Sequence, residues 1–432
     1  MTSRQAAWIT LGVLVALLVV LAWLLIPWDA AEPGQQGRQP ASADFISAQI
    51  DAEQRYHSQL RPWTLGAFAL GLLVTVVLGF TPWGARIVEL VARPLGGGWV
   101  WRALLGGVAL GLIGQLVVLP LRARAEVVLR RHGLSTHTWG GWAVDVAKSW
   151  LVGALITALA LWAFYAVVRA LPRWWWIPVS AAAALLTFVA SFLYPVLIEP
   201  IFNNFKPMPD SALRSDLMEM AAADGVPVRE VLVADASRRT TALNAYVSGF
   251  GSSRRIVVYD NLLNDAPESE VKLVVAHELG HAKSNDVLVG TSLGAVAAAA
   301  LCVAGFLLLG WQSLLARAGV SSVADPRSMA LIMALLALVG FLATPIANIV
   351  SRRIEARADE HSLQLTGDPS TFIAMHRRLA VTNRSDLEPN PVLFALFASH
   401  PTTSERIGHA RQFAKSLVIV LSADTRGQEG VG

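Results

Sequence analysis

The chain has little of what stabilises or solvates an ordinary soluble enzyme. Its 432 residues include a single cysteine, Cys302, which excludes an intrachain disulfide and any cysteine-rich zinc site. Charged residues make up only 15% of the chain, too few for a typical soluble surface. Lysine occurs only at Lys148, Lys206, Lys272, Lys283 and Lys415, so the basic charge is mostly arginine. No RNA or DNA motif accompanies that charge, and in so apolar a chain arginine reads as a topology signal rather than a nucleic-acid footprint. Histidine is also scarce, with nine in all. What is abundant is apolar: 54% of residues are hydrophobic and mean hydropathy is +0.50, the composition of a polytopic membrane protein. Arginine in place of lysine, beside much Ala and Leu, is the composition associated with a high-GC bacterial genome.

Seven apolar spans approach the length of about 20 residues needed to cross a bilayer. They cover 7–27, 64–82, 104–121, 149–170, 175–196, 287–310 and 329–350. The first is long for a signal-peptide core and no clear cleavage site follows it, so it reads as a retained span. Residues 29–45 read as a linker, with a surface helix over 44–62. Seven spans put loops 28–63, 122–148, 197–286 and the segment after 350 on one side, and that side carries more Arg and Lys. The positive-inside rule makes it the cytoplasmic side.

The stretch 197–286 breaks the apolar pattern and is long enough for a small domain. Val231-Leu232-Val233 reads as a strand. Ala245-Tyr246-Val247 and Arg255–Tyr259 flank a Gly-Ser turn and read as a hairpin. A helix near 211–224 ends at Gly225, a C-cap signal. The predicted fold class is mainly α, a polytopic membrane protein with about seven transmembrane helices and a small α/β domain between the fifth and sixth spans. The expected parts are spans one to five over 1–196, a subdomain with a three-stranded sheet over 197–286, spans six and seven over 287–350, a C-terminal helical part over 351–418, and an unstructured tail over 419–432.

That domain carries the motif His277-Glu278-Leu279-Gly280-His281, about six residues before the sixth span. Asp265-Ala266-Pro267-Glu268 reads as its helix start. Val271, Val274, Val275, Leu279 and Ala282 recur at helical spacing. On a helix, His277 and His281 face the same way one turn apart and can bind one zinc ion, with Glu278 beside the open position. A catalytic zinc needs a third protein ligand and an open position. Ser284 and Val287 stand where the metzincin pattern requires Gly and a third His. Glu355, in Ile354–Asp359, fits better. The sixth span leaves the zinc side and the seventh returns to it, bringing His281 and Glu355 to one height. Asp359, one turn beyond Glu355, is placed to orient a ligand histidine, His277 in the first instance. His400, in Ser399-His400-Pro401, is the candidate donor to a developing oxyanion, with Arg406 as supporting charge. The expected cofactor is one Zn²⁺ per chain, with Glu278 as general base. His57, His132, His137, His361, His376 and His409 read as structural.

These motifs resemble the integral-membrane gluzincin metalloproteases of the CAAX prenyl protease type 1 family. The resemblance extends to Glu199–Pro207 after the fifth span, to Asn244-Ala245-Tyr246 with Gly249-Phe250-Gly251 and Arg254–Asp260, and to His400-Pro401 with Arg406. It is strong over 195–410 and mostly hydropathic before that. It implies that Glu355 is the third zinc ligand and that Asn244 and Ala245 lie on an edge strand pairing with substrate backbone. It also implies that His400 stabilises the transition state and that the spans enclose an intramembrane chamber. The expected substrate is a membrane-associated protein or peptide met at the lipid bilayer, with no nucleic-acid partner. The related HtpX-like quality-control proteases share the zinc motifs but have fewer spans. A metal transporter would place ionisable groups in mid-membrane, whereas the most polar span residue here is Gln115. A catalytically silent membrane zinc protein would be expected to lack Glu278 or a ligand, and all are present.

Overall fold

The computed structural model describes residues 1–30 and 39–429, with side chains described through 417. Part of the expected linker, 31–38, and the last three tail residues lie outside the described residues. The chain begins with α1 (Ser3–Leu25), α2 (Ser47–Phe80), α3 (Pro82–Ala92), α4 (Trp99–Arg131), α5 (Trp139–Ala170), α6 (Trp176–Leu193) and, after a π turn, α7 (Glu199–Phe202). The polar segment holds β1 (Phe205–Pro207), α8 (Ala212–Ala223), β2 (Glu230–Ala234), β3 (Ala245–Ser248), β4 (Arg255–Tyr259), α9 (Asp260–Asp265) and α10 (Glu268–Lys283). There follow α11 (Asp286–Leu308), α12 (Gln312–Arg317), α13 (Met329–Thr366), α14 (Pro369–Thr382), α15 (Pro391–Phe397) and α16 (Thr403–Glu429).

Among the described residues seven helices are long and apolar enough to cross a membrane: α1, α2, α4, α5, α6 with its extension to Phe202, α11 and α13. Their outward faces leave residues such as Val13, Leu155, Leu185 and Leu342 exposed, as lipid-facing helices do. Small residues let them approach closely. Gly79 and Gly84 lie where α2 and α3 meet Ala330 and Ala334 of α13, with no room for a β-carbon.

Two helices outrun their expected spans. The surface helix expected over 44–62 is continuous with the second span through Pro62, forming the 34-residue α2. The 38-residue α13 is about 57 Å long at 1.5 Å per residue, well beyond the roughly 30 Å hydrocarbon core, so it carries Glu355 out of the membrane on an unbroken helix.

The sheet has four strands in the order β1-β2-β4-β3, one more than expected. The extra strand, β1, is three residues long, ends in Pro207, and pairs antiparallel with β2, too short to show a period-2 pattern. β2 pairs parallel with β4, and the expected hairpin β3–β4 is antiparallel, leaving β3 at the edge. Gly225 closes α8 at φ +73, as its position predicts. A core of Leu217, Ile256, Val258, Val271, Leu279 and Phe372 holds the sheet against α8, α10 and α14.

Three local expectations change. Asp265 ends α9, and α10 starts after Pro267 with no side-chain cap; its first-turn Glu268 and Glu270 complement the helix dipole instead. The end of the expected linker is docked: Phe45 packs with Ile407, while Asp44 pairs with Arg377 and Arg411. The last helix continues to Glu429, into the segment expected as an unstructured tail.

Candidate metal centre and active site

α10 and α13 cross at the site. Gly280 makes that approach possible, because a β-carbon there would lie 3.0 Å from the His361 ring on α13. His277 and His281, one turn apart on α10, bring their Nε2 atoms to 3.1 Å. Glu355 closes the group from α13, with Oε2 3.4 Å from His277 Nε2 and Oε1 3.5 Å from His281 Nε2. One donor atom from each of the three falls within 4.8 Å of the others.

The donor chemistry fits a divalent cation. His277 Nδ1 lies 3.0 Å from Asp359 Oδ1, and His281 Nδ1 lies 2.9 Å from Asp286 Oδ2. Each Nδ1–H is thereby committed to a carboxylate, so both Nε2 lone pairs converge on one point. Glu355 Oε2 is buried there and accepts no hydrogen bond. Burial disfavours a charged His281, yet the carboxylates of Asp286 and Glu355 outweigh it and raise it to about 10. A point that draws positive charge so strongly, with two imidazole lone pairs and a carboxylate, suits zinc.

The carboxylates are themselves held. Arg406 Nε donates to Asp359 Oδ2 at 2.7 Å, and its Nη2 also pairs with that carboxylate. Arg406 is thus engaged by Asp359, stands 3.9 Å from Glu355 and shares a cavity wall with His400. Asp286 is paired by Arg357, through one contact from Nη2 to Oδ1. Asp286 is not among the residues the sequence singles out, since nothing in its spacing ties it to His281. The signal lies in the joint. Asn285, at φ +54, turns the chain between α10 and α11, and Arg254 locks that turn through Ala282 C=O at 2.9 Å and Asn285 Oδ1 at 2.8 Å.

The Glu278 carboxyl is pushed up by burial and pulled back by the neighbouring His277 and His281. His400 Nε2 lies 3.5 Å from Glu355 Oε2, and its side chain is 59% exposed. Ala245 begins the edge strand β3 and Asn244 immediately precedes it, sharing the wall of a cavity of about 800 Å³ with His400 and Arg406. His361, read as structural, joins Lys283 on the buried Asp224 at 2.9 and 2.6 Å, behind the motif.

A His-His-Glu cluster on crossed helices, below an edge strand and beside membrane-length helices, defines the class: a membrane-integral metallopeptidase. Sequence comparison agrees. The profile described as peptidase family M48 matches residues 207–414. The profile described as CAAX prenyl protease N-terminal, five membrane helices, matches 48–204. The uncharacterized metalloprotease YhfN of Bacillus subtilis is 31% identical over 70% of this chain and 72% of its own. A CAAX prenyl protease 1 homolog of Arabidopsis thaliana is 29% identical over 68% of this chain and 69% of its own. The crystal structure of S. mikatae Ste24p superposes with a TM-score of 0.73 at 22% identity, covering 93% of this chain and 97% of that one, which shows a shared fold. The chain belongs to peptidase family M48, in its CAAX prenyl protease type 1 branch, and is a multi-pass membrane metalloprotease.

Proposed function

We propose that the chain is a zinc endopeptidase that cuts membrane-associated polypeptides on the cytoplasmic face of a bacterial membrane. The observation that carries this is the convergence of His277 Nε2, His281 Nε2 and Glu355 beside Glu278. When bound to those three ligands, zinc supplies an open coordination position at which water is acidified and a peptide carbonyl polarised. Glu278 takes the proton of the attacking water and passes it to the leaving amine, a role favoured by its raised affinity for protons. His400 donates to the developing oxyanion. Asp359 and Asp286 fix the tautomers of His277 and His281, and Arg406 holds Asp359. The free edge of β3, entered through Asn244 and beginning at Ala245, holds an extended substrate by main-chain hydrogen bonds.

Proteins similar to this one are named CAAX prenyl protease 1, and a farnesylated C-terminal peptide is therefore one substrate candidate. An unmodified membrane polypeptide, as in quality control, is the second, and the Bacillus relative is named only as a metalloprotease. Cleavage of a farnesylated CAAX peptide and of an extended unmodified peptide, by wild type and Glu278→Gln with zinc content measured, tests the reading. Glu278→Gln retains zinc and loses at least about 100-fold in kcat. A variant as active as wild type would refute the general base. The better peptide decides between the two substrate classes.

A further inference from the structure

We infer that Asn383 sets the length of substrate that the edge strand can hold, by occupying the strand's next pairing position itself. The inference rests on the reading of β3 as the substrate edge. Along a strand, main-chain groups point alternately to the two sides. Tyr259 N–H donates to Asn244 C=O at 3.0 Å, so Asn244 faces β4, and Tyr246 and Ser248 face it in turn. Leu243, Ala245 and Val247 therefore turn their N–H and C=O groups to the open edge.

Leu243 is not available there. Its N–H donates to Asn383 Oδ1 at 2.9 Å, and its C=O accepts from Asn383 Nδ2 at 3.1 Å. One carboxamide makes the two bonds that a pairing strand would make, from 140 residues away. It is held there firmly. Asn383 caps α14 through its N–H to Leu379 C=O at 2.9 Å, and Arg384 at φ +53 then turns the chain back. The Arg384 C=O accepts from His57 Nε2 of α2 at 2.8 Å. Leu243, Asn244 and Asn383 all line the 800 Å³ cavity that holds His400, so the capped position lies inside the substrate cleft.

The consequence is a register stop. A bound peptide finds two open edge residues, Ala245 and Val247, and beyond Asn244 its backbone leaves the sheet for the cavity. Residues added to the peptide past that point gain no main-chain pairing. Asn383 is thus a specificity-determining residue that disfavours long extended segments on one side of the scissile bond.

The test uses the full-length zinc-loaded protein and two peptide series, lengthened in steps of two residues at the N-terminus or at the C-terminus. Within each variant the quantity compared is the ratio of KM for long and short peptides, which general damage to the fold does not change. In wild type, one of the two series gains less than about twofold once the open edge is filled. In Asn383→Ala, that same series gains a further drop in KM of about fivefold for each hydrogen bond it then makes with the freed Leu243, which offers up to two. Asn383→Asp, which keeps the acceptor for Leu243 N–H and loses the donor, falls between them. Equal ratios in wild type and Asn383→Ala overturn the inference while leaving proteolysis intact. Single N-methylation along the peptide backbone gives a second reading on wild type alone. It raises KM where the residue faces Ala245 or Val247 and has no effect one step past Asn244; a rise there also overturns the inference. If wild type cleaves neither series, the proteolytic reading falls and this inference with it.

Discussion

The two flanks of the histidine pair are built on one plan and differ in where they sit. On each, a carboxylate holds Nδ1 of one histidine of the pair and an arginine holds the carboxylate. On the His277 flank the carboxylate is Asp359, 2% exposed, on the same helix as Glu355, and its arginine is the enclosed Arg406 of α16. On the His281 flank it is Asp286, 9% exposed, at the start of α11, and Arg357 is 30% exposed. One flank belongs to the core of the catalytic domain, and the other to its joint with the membrane. The difference teaches that the same hydrogen bond is expected to matter for folding on one side and mainly for ligand orientation on the other. Both carboxylates are buried, but losing Asp359 strands the enclosed Arg406, whereas Arg357, 30% exposed, is relieved by solvent when Asp286 is lost.

The largest effect should come from the buried flank. Asp359→Asn is expected to lower zinc affinity by up to about 100-fold and to cost roughly 3 kcal/mol of stability through the stranded Arg406. Zinc titration and denaturant unfolding measure both. Asp286→Asn is expected to lower zinc affinity by about tenfold with less than about 1 kcal/mol of stability lost. Equal stability losses from the two variants would abolish the distinction between the flanks.

The smallest effect sharpens the comparison through pH. His376 packs on Phe372 at 4.4 Å, on the buried side. Burial, helped by Arg406 and His277 against the opposing Asp359 and Glu355, holds its pKa well below 6.5. A histidine whose folded value is depressed contributes stability above its unfolded value of 6.5, and that stability is lost as pH falls below it. The melting temperature of wild type should therefore drop below pH 6.5 more steeply than that of His376→Leu. Parallel acid limbs would show that His376 is not the group responsible.

How much could be read ahead of the structure follows from the range of each interaction. The spans were legible because a bilayer imposes a length and a composition. His277, Glu278 and His281 were legible because they share one helical turn. Glu355 and Asp359 could be brought to them because two antiparallel spans fix their height. Arg406 was noticed, but its engagement by Asp359, 47 residues away, was not. β1 escaped because three residues show no periodicity, and Asp286 because its role depends on the left-handed turn at Asn285.

The sequence by itself determined a seven-span membrane chain, a hairpin and a helix with two histidines one turn apart, since hydropathy and helical period act over neighbouring residues. Only the tertiary structure decided which carboxylate orients His281, that Arg406 serves Asp359, and that Asn383 closes the edge at Leu243. Those contacts join segments distant in the chain, and the packing of α10, α13, α14 and α16 around the sheet is what sets their distances and directions.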